Sequence, residues 1–319
     1  MLRLLSGYWS SQCLYVMAEL RIADLLADGP KTADVLAEET QCHAGSLFRL
    51  LRALACTGIL REVEPSRFAL TPLSETLRSD RLDSLGPVAR LGGHPLHWQA
   101  WGQLLNSVRT GHAAFDTANG KGFFGNLADD PEMSAVFQGV QQRLSVLDRA
   151  VVATVDLGLF DRIVDVGGGT GALAREIASA YPRASVAVFD LDHVLATVPA
   201  DARVDLVPGD FFECVPPGAA YILKFVLHDW DDDRAVRILR NCGDAMAQDG
   251  RVFVIEAVVP DDDAPSAAKT HDINMLVLTG GRERTLGEYR SLLSAAGLDF
   301  LHATPVGFDV SVLVAKTSP

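Results

Sequence analysis

The stretch that decides the fold runs from residue 162 to residue 171 and reads Arg-Ile-Val-Asp-Val-Gly-Gly-Gly-Thr-Gly. Its apolar part predicts a buried strand, and its glycines predict a turn whose backbone adopts positive φ and approaches a ligand closely. A helix is predicted to open at about Ala172, so that its first N–H groups face the same ligand. This order indicates a parallel α/β sheet with a ligand at its carboxyl edge.

Two kinds of ligand fit such a turn. The spacing Gly-x-Gly-x-x-Ala from Gly167 to Ala172 matches the dinucleotide fingerprint, with Asp190 at about the right distance to hold a ribose. However, the turn reads GxGxG, Asp165 precedes it, and Asp210 ends the next strand. Several strand-end carboxylates suit the ammonium and sulfonium of S-adenosylmethionine and suit a pyrophosphate poorly. The turn therefore favours S-adenosylmethionine as the cofactor.

The rest of the second half extends this α/β pattern. Asp210 beside Phe211 fits a carboxylate that takes the adenine amino group next to an aromatic ring that stacks on the base. From residue 163 onward, short apolar runs alternate with helical patterns. The apolar runs 298–303 and 310–315, joined by 304–308, predict an antiparallel hairpin that ends a seven-stranded sheet.

The first half reads as helix after helix. Helices are predicted over 4–28, 32–39 and 46–57, and strands over 60–63 and 67–70. This order is typical of a winged helix, which often binds DNA. Between residues 31 and 80, however, 6 basic residues stand against 7 acidic ones, whereas a DNA reader shows a basic excess. The module is therefore predicted to act in dimerisation or as a lid, with its apolar first helix packed against a partner.

Composition points the same way. The 319 residues carry 28 basic and 41 acidic side chains, a net charge of −13 that disfavours nucleic acid as a partner. Apolar residues make up 48% of the chain, which excludes global disorder. The sequence predicts neither a signal peptide nor a membrane span, and the five cysteines form no CxxC pair. We expect a cytoplasmic protein with reduced thiols and no membrane partner.

Four segments carry a resemblance to a known family: 165–171, 209–212, 223–230 and 280–285. Together they resemble the S-adenosylmethionine-dependent O-methyltransferases of the plant caffeate and bacterial natural-product type, over almost the whole chain. The resemblance implies an α/β class I methyltransferase with a Rossmann-like seven-stranded sheet and an N-terminal all-helical winged-helix dimerisation domain. It places that domain over 1–90 and the methyltransferase domain over 91–319, with a helical roof or linker over 91–158 and the cofactor-binding sheet over 159–319. It also implies a homodimer and a small aromatic acceptor.

His228 is the candidate general base. A phenol becomes a good nucleophile on losing its proton, and a histidine with a pKa near 6.5 suits that task. His228 follows the apolar strand 221–227 at the carboxyl edge, and no other histidine has comparable placement. The resemblance implies that Glu256 and Glu283 orient or polarise it, although Glu283 has an alternative as an ion-pair partner of Arg282 or Arg284.

The remaining site residues follow from the strand ends and the resemblance. The candidate cofactor residues are Gly167, Gly169, Asp190, Asp210, Phe211, Lys224, Ser145 and Trp230, and the candidate acceptor residues are Phe137, Gln141, Asn274 and Met275. Lys224 has an alternative in a structural ion pair, and Trp230 has one in core packing. Gln141 departs from the plant pattern, in which a Met is common, so we expect an acceptor other than a simple phenylpropanoid. We predict no metal, because Cys and His show no metal-ligand spacing.

These features predict methylation of a phenolic hydroxyl of an aromatic secondary metabolite. Three alternatives stay open: an N-methyltransferase, which needs no base; a hydroxylase or decarboxylase of the same fold that binds S-adenosylmethionine; and a winged-helix regulator that senses a ligand. The retained histidine argues against the first two, and the acidic charge against the third.

Overall fold

The computed structural model describes residues 1–318, and it divides into two compact units. The first contains residues 1–99 and 129–144, and the second contains 100–128 and the chain from Ser145 onward. The segment 129–144, which we expected in the roof or linker of the second domain, thus belongs to the first unit. Packing explains this, because Gly139 lies so close to the helix Gly86–Gly93 that a Cβ there would stand 2.9 Å from Cγ of Pro87.

The first unit differs from the sequence prediction at its N-terminus. The long helix predicted over 4–28 is three pieces, Leu2–Leu5, Gly7–Glu19 and Ile22–Leu25. The last break falls at Arg21, whose φ of 51° is left-handed and ends the helical hydrogen-bond pattern. The other helices of this unit are Ala33–Glu39, Ala44–Cys56, Pro72–Glu75, Gly86–Gly93 and Pro131–Leu144, and Pro95–Trp101 runs to its boundary.

The unit is also not all-helical. It contains a small antiparallel sheet in the order β1-β3-β2, formed by β1 (Lys31–Thr32), β2 (Leu60–Glu64) and β3 (Arg67–Leu70). β1 was not predicted. Thr32 pairs with Arg67 and also caps the helix Ala33–Glu39, because its side chain accepts a hydrogen bond from the N–H of Val35.

The second unit is built on one large sheet. Its strands are β4 (Arg162–Val166), β5 (Ser185–Asp190), β6 (Val204–Pro208), β7 (Gly218–Lys224), β8 (Met246–Val259), β9 (Arg284–Thr285), β10 (Leu298–Gly307) and β11 (Val310–Thr317). Within residues 1–318 the order is β10-β11-β8-β7-β4-β5-β6, with the two-residue β9 added beside β8. Strands β4 to β8 are parallel, whereas β10 and β11 are antiparallel. The predicted α/β fold with a closing hairpin is confirmed.

Strand order places the site. Within the sheet, β5 is the neighbour of β4 on one side, and β7 is its neighbour on the other side. Ligands bind at the carboxyl ends of parallel strands where the order reverses in this way. The interior of β4 is fully buried, as expected for a central parallel strand.

The second unit also contains nine helices and two 3₁₀ turns within the described residues. They are Leu104–Thr110, Ala114–Asn119, Phe123–Asp129, Asp148–Thr154, Ala172–Ala180, Asp192–Leu195, Asp232–Ala245, Ala267–Leu278 and Leu286–Ala295, with 3₁₀ turns at Ser145–Leu147 and Leu227–Asp229. Two buried clusters form the core, one including Ile163 and the other Val164. None of the helices in the described part of the chain is both long and apolar enough to cross a bilayer.

Candidate active site

The glycine turn lies directly after β4. A Cβ at Gly168 would stand 2.7 Å from Oδ2 of Asp165, and one at Gly167 would stand 2.9 Å from the Val226 side chain. Only glycine therefore fits these two positions without rearrangement. The N–H of Gly169 donates to Oδ2 of Asp190 at 2.8 Å, so that carboxylate ties the turn to the end of β5.

Buried carboxylates line the base of this turn. Asp165 is 2% exposed, and burial raises its pKa to about 7. Asp148 is also buried and forms an ion pair with Lys224. Lys224 thus takes part in a structural ion pair, as the alternative for that residue predicted. Oδ2 of Asp165 and Oδ2 of Asp148 have no hydrogen-bond partner among the described residues. Unpartnered carboxylate oxygens beside a glycine cradle fit a cationic ligand such as S-adenosylmethionine.

Aromatic side chains gather beside the carboxyl ends of β6 and β7. The ring of Trp230 stacks on Phe124 at 5.9 Å, and it meets Phe212 edge-on at 4.8 Å and Phe211 at 6.1 Å. These contacts agree with the alternative in which Trp230 packs in the core. Asp210 is exposed and accepts a hydrogen bond from the N–H of Phe212.

A carboxylate shapes the turn that carries His228. Oε1 of the fully buried Glu256 accepts hydrogen bonds from the N–H groups of Val226, Leu227 and His228, at 3.0, 2.8 and 3.3 Å. Phe225, just before this turn, has a φ of 55°, which is unusual for a bulky residue. Such strain persists only where surrounding contacts hold it. Glu256 therefore positions the backbone of the candidate base.

A second carboxylate holds the ring of His228. Nδ1 lies 2.8 Å from Oε1 of Glu283 and 3.7 Å from Oε2 of Glu256. An ionised carboxylate only accepts hydrogen bonds, so Nδ1 carries the proton and Nε2 is the ring atom that can take another. Oδ1 of Asp229 lies 3.9 Å from Nε2.

Charge in this cluster favours an imidazolium–carboxylate pair. Burial alone lowers the pKa of His228, but the carboxylates of Glu256, Asp229 and Glu283 outweigh it and raise the pKa to about 10. Burial raises the pKa of Glu283, but hydrogen bonds from His228 and His271 outweigh that and lower it to about 2. Burial raises the pKa of Glu256 to about 7. Glu283 is thus the anion that faces the ring.

The arginines that flank Glu283 pair with other groups. Arg282 binds Glu288 and Asp232, and the fully buried Arg284 binds Asp232. The predicted alternative of an ion pair between Glu283 and either arginine is therefore wrong. Arg284 also donates to the carbonyl oxygens of Leu227 and Trp230, at 3.0 and 2.8 Å, and so closes the turn around His228.

Two of the predicted acceptor residues lie on the helix Ala267–Leu278. Met275 is buried, and Oδ1 of Asn274 accepts a hydrogen bond from Nε1 of Trp101 at 3.1 Å. The other two, Phe137 and Gln141, are half-buried on the helix Pro131–Leu144 of the first unit. The predicted cofactor residue Ser145 opens a 3₁₀ turn in the second unit.

Sequence reasoning missed His271. Its Nδ1 lies 2.7 Å from the Oε1 of Glu283 that also contacts His228, and the two imidazole rings are 5.8 Å apart. The statement that no other histidine has comparable placement is therefore wrong. His271 stands three and four residues before Asn274 and Met275, which puts all three on one helical face, and that spacing was the available signal. Asp148 was missed as well, because its contact with Lys224 spans 76 residues.

Family models match both halves of the chain. The model described as the O-methyltransferase domain matches residues 101–299, and the model described as the O-methyltransferase dimerisation domain matches residues 2–80. The second match assigns the winged-helix module to dimerisation, in agreement with its lack of basic excess.

Individual relatives extend over nearly the whole chain. The phenazine O-methyltransferase PhzM of Lysobacter antibioticus is 39% identical over 325 residues, with 99% of this chain and 95% of that protein covered. The mitomycin biosynthesis 6-O-methyltransferase of Streptomyces lavendulae is 39% identical over 316 residues, with 95% and 90% covered. A crystal structure of the O-methyltransferase NcsB1 from neocarzinostatin biosynthesis, in complex with S-adenosylmethionine and 2-hydroxy-5-methyl naphthoic acid, matches with a TM-score of 0.88 and 33% identity, covering 100% of this chain and 99% of that one.

Proposed function

Because this chain belongs to the S-adenosylmethionine-dependent O-methyltransferase family, we propose that it methylates a phenolic hydroxyl of an aromatic natural product, with His228 as the general base. The observation that carries this proposal is the contact of Nδ1 of His228 with Oε1 of Glu283 at 2.8 Å. It holds the proton on Nδ1 and leaves Nε2 for the proton of the acceptor.

The cofactor, when bound, supplies an electrophilic methyl group on a positively charged sulfur. Nε2 of His228 takes the phenolic proton, so that the acceptor oxygen is held as a phenolate, the form that could accept a methyl group. The imidazolium that forms keeps its Nδ1–H on Glu283 and lies near the carboxylate of Glu256. Both carboxylates therefore stabilise the charge that appears on the ring during the reaction.

The raised pKa of His228 makes it a strong base that is protonated at neutral pH in the free enzyme. A cationic cofactor opposes the imidazolium and lowers that pKa, so binding of the cofactor increases the neutral fraction. We expect the rate to rise with pH and to level off once His228 is neutral, with a midpoint below 10 in the presence of saturating S-adenosylmethionine.

The cofactor pocket is proposed from the residues around the glycine turn. Asp190 binds the ribose, Asp210 binds the adenine amino group, and Phe211 stacks on the ring. The buried carboxylate of Asp165 contributes negative charge toward the cationic part of the cofactor. The remaining proposed contacts are Gly167, Gly169, Ser145, Lys224 and Trp230.

The acceptor pocket is proposed to include Asn274 and Met275, whereas Phe137 and Gln141 stay candidates that the resemblance implies. The indole N–H of Trp101 only donates, so the amide oxygen of Asn274 turns toward it and the amide NH₂ is available to donate elsewhere. This orientation favours an acceptor that presents an oxygen, such as a quinone, carbonyl or carboxylate, near the methylated hydroxyl. Met275 adapts to a flat ring.

We also propose that the enzyme works as a cytoplasmic homodimer assembled through the first unit. Apolar side chains on its first two helices are largely open to solvent, with Leu2 83%, Leu4 80% and Trp9 63% exposed. Exposed apolar area of this kind marks an interaction surface. Light scattering at micromolar concentration is expected to give twice the chain mass of 34.3 kDa. A mass of one chain would refute the dimer.

The base is tested with His228→Ala and a panel of phenolic acceptors with labelled S-adenosylmethionine. We expect kcat to fall by at least about 100-fold, because general bases contribute on that order. The Kd for S-adenosylmethionine should not rise, because the substitution removes a positive charge that opposes the cationic cofactor. The matched control is His302→Ala, which removes an exposed histidine on β10. A wild-type rate for His228→Ala would exclude this base and would favour an amine acceptor, which needs none.

A further inference from the structure

We infer that His271 is a positioning residue for the reaction, which holds the carboxylate of Glu283 against His228. This inference rests on the proposed role of His228 as the base. His271 contacts Oε1 of Glu283 through Nδ1 at 2.7 Å, and His228 contacts the same oxygen through its own Nδ1 at 2.8 Å. One carboxylate oxygen therefore receives two imidazole donors from two different elements of the fold.

The shared oxygen fixes the tautomer of both rings. A carboxylate that faces two nitrogens at these distances accepts a hydrogen bond from each, so both Nδ1 atoms carry a proton. For His228 this leaves Nε2 as the atom that takes the acceptor proton. His271 thus helps to keep Glu283 in the state that selects the reactive tautomer of His228.

Glu283 needs a second donor because little else holds its side chain. Its Oε2 is buried and has no hydrogen-bond partner among the described residues. The terminal torsion of a glutamate is broad, so a single donor leaves the carboxylate free to rotate. Two donors on Oε1 restrict that rotation, and they also favour the ionised form.

The helix that carries His271 holds Glu283 at two points. Oδ1 of Asp272, the next residue along the helix, accepts a hydrogen bond from the backbone N–H of Glu283 at 2.9 Å. Consecutive residues thus bind the main chain and the side chain of the same glutamate. The helix also carries Asn274 and Met275, which belong to the proposed acceptor pocket. Its position therefore affects both the orientation of Glu283 beside the base and the binding of the acceptor.

Exposure argues against a packing role for His271. Its side chain is 47% exposed, whereas Glu283 is buried. A half-exposed side chain contributes little to the core, so its short contact with a buried carboxylate is the feature that calls for a function. Removing that contact should change the orientation of Glu283 and leave the fold intact.

The test compares His271→Leu with His271→Asn. Leu removes the donor and keeps bulk, whereas the side-chain amide of Asn places an N–H near the position of Nδ1. We expect kcat to fall about tenfold in His271→Leu and to return to within about twofold of wild type in His271→Asn. The Kd for S-adenosylmethionine and the melting temperature should not change. His302→Leu is the matched control, because it replaces an exposed histidine on β10.

A spectroscopic signature separates positioning from a general structural effect. Nitrogen-15 NMR of the imidazoles is expected to show His228 with its proton on Nδ1 in the wild type and a mixture of tautomers in His271→Leu at a pH where the ring is neutral. A wild-type kcat in His271→Leu, together with an inactive His228→Ala, would overturn the inference and leave the base in place. An active His228→Ala would instead remove the base itself.

A metal ion is the alternative ligand of His228, His271 and Glu283, since one possible ligand atom from each residue lies within 4.8 Å of the other two. The two short N···O distances favour direct hydrogen bonds, and we expect full activity after dialysis against a chelator. Loss of activity on dialysis that is restored by Zn²⁺ would overturn the positioning role.

Discussion

Replacing Asp165 by Asn should stabilise the protein at alkaline pH and weaken cofactor binding. Burial raises the pKa of this carboxyl from 3.8 to about 7 in the folded chain. Between pH 3.8 and about pH 7, Asp165 has lost its proton in the unfolded chain and still holds it in the folded chain. Raising the pH therefore removes stability from the wild type, by about 1.4 kcal/mol per pH unit. The contribution is complete below pH 3.8 and is lost as the pH rises through 7.

The magnitude follows from this window. Between pH 5.5 and pH 8 the wild type crosses about 1.5 pH units of it, so it loses about 2 kcal/mol that the neutral Asp165→Asn variant keeps. The assay is urea unfolding of both proteins at pH 5.5 and pH 8, read as the change in the difference between their unfolding free energies. Asp205→Asn is the control, because Asp205 is exposed on β6.

Cofactor binding should move in the opposite direction. A buried carboxylate without a partner for Oδ2 is held at a cost to folding and supplies negative charge for a cationic ligand. We expect the Kd for S-adenosylmethionine, measured by calorimetry at pH 8, to rise at least about tenfold in Asp165→Asn. If the unfolding free energy of the variant does not rise relative to the wild type between pH 5.5 and pH 8, the pKa of Asp165 is not raised and the electrostatic reasoning fails. If its Kd equals that of the wild type, Asp165 plays no part in the pocket.

Two further substitutions test the support of the His228 turn. Arg284→Met should lower the free energy of unfolding by about 3 kcal/mol, because it removes the hydrogen bonds of a fully buried guanidinium to the carbonyl oxygens of Leu227 and Trp230 and its ion pair with Asp232, and an unchanged urea midpoint would contradict this. Gly281→Ala should lower kcat more than tenfold with little effect on the Kd for S-adenosylmethionine, because its Cβ would stand 2.0 Å from the carbonyl oxygen of His228. Gly92→Ala, where a Cβ meets open space, is its control, and equal rates in the two variants would show that this close approach is unimportant.

Local sequence patterns predicted the elements well where one residue type decides the backbone. The glycine turn after β4 and the hairpin of β10 and β11 followed from short motifs. The strand predicted over 221–227 instead ends at Lys224, and His228 lies in the 3₁₀ turn Leu227–Asp229 that follows. Predictions failed where a distant contact decides the outcome. The first helix breaks at Arg21, whose guanidinium donates to the hydroxyl of Ser79. Thr32 pairs with Arg67 in a sheet, and Gly139 of the helix Pro131–Leu144 lies close to Pro87.

Within the site, the sequence by itself determined which chemical groups are present and which edge of the sheet receives them. Strand periodicity and glycine placement act over a few residues, so they can be read directly from the order of amino acids. Only the tertiary structure decided that Glu283 faces two histidines and neither arginine, and that Asp148 pairs with Lys224. These contacts join residues from 12 to 76 positions apart, and the packing of separate helices and strands brings them within hydrogen-bond distance. Hydrogen bonds of buried groups depend on that geometry to a fraction of an ångström, which no local pattern encodes.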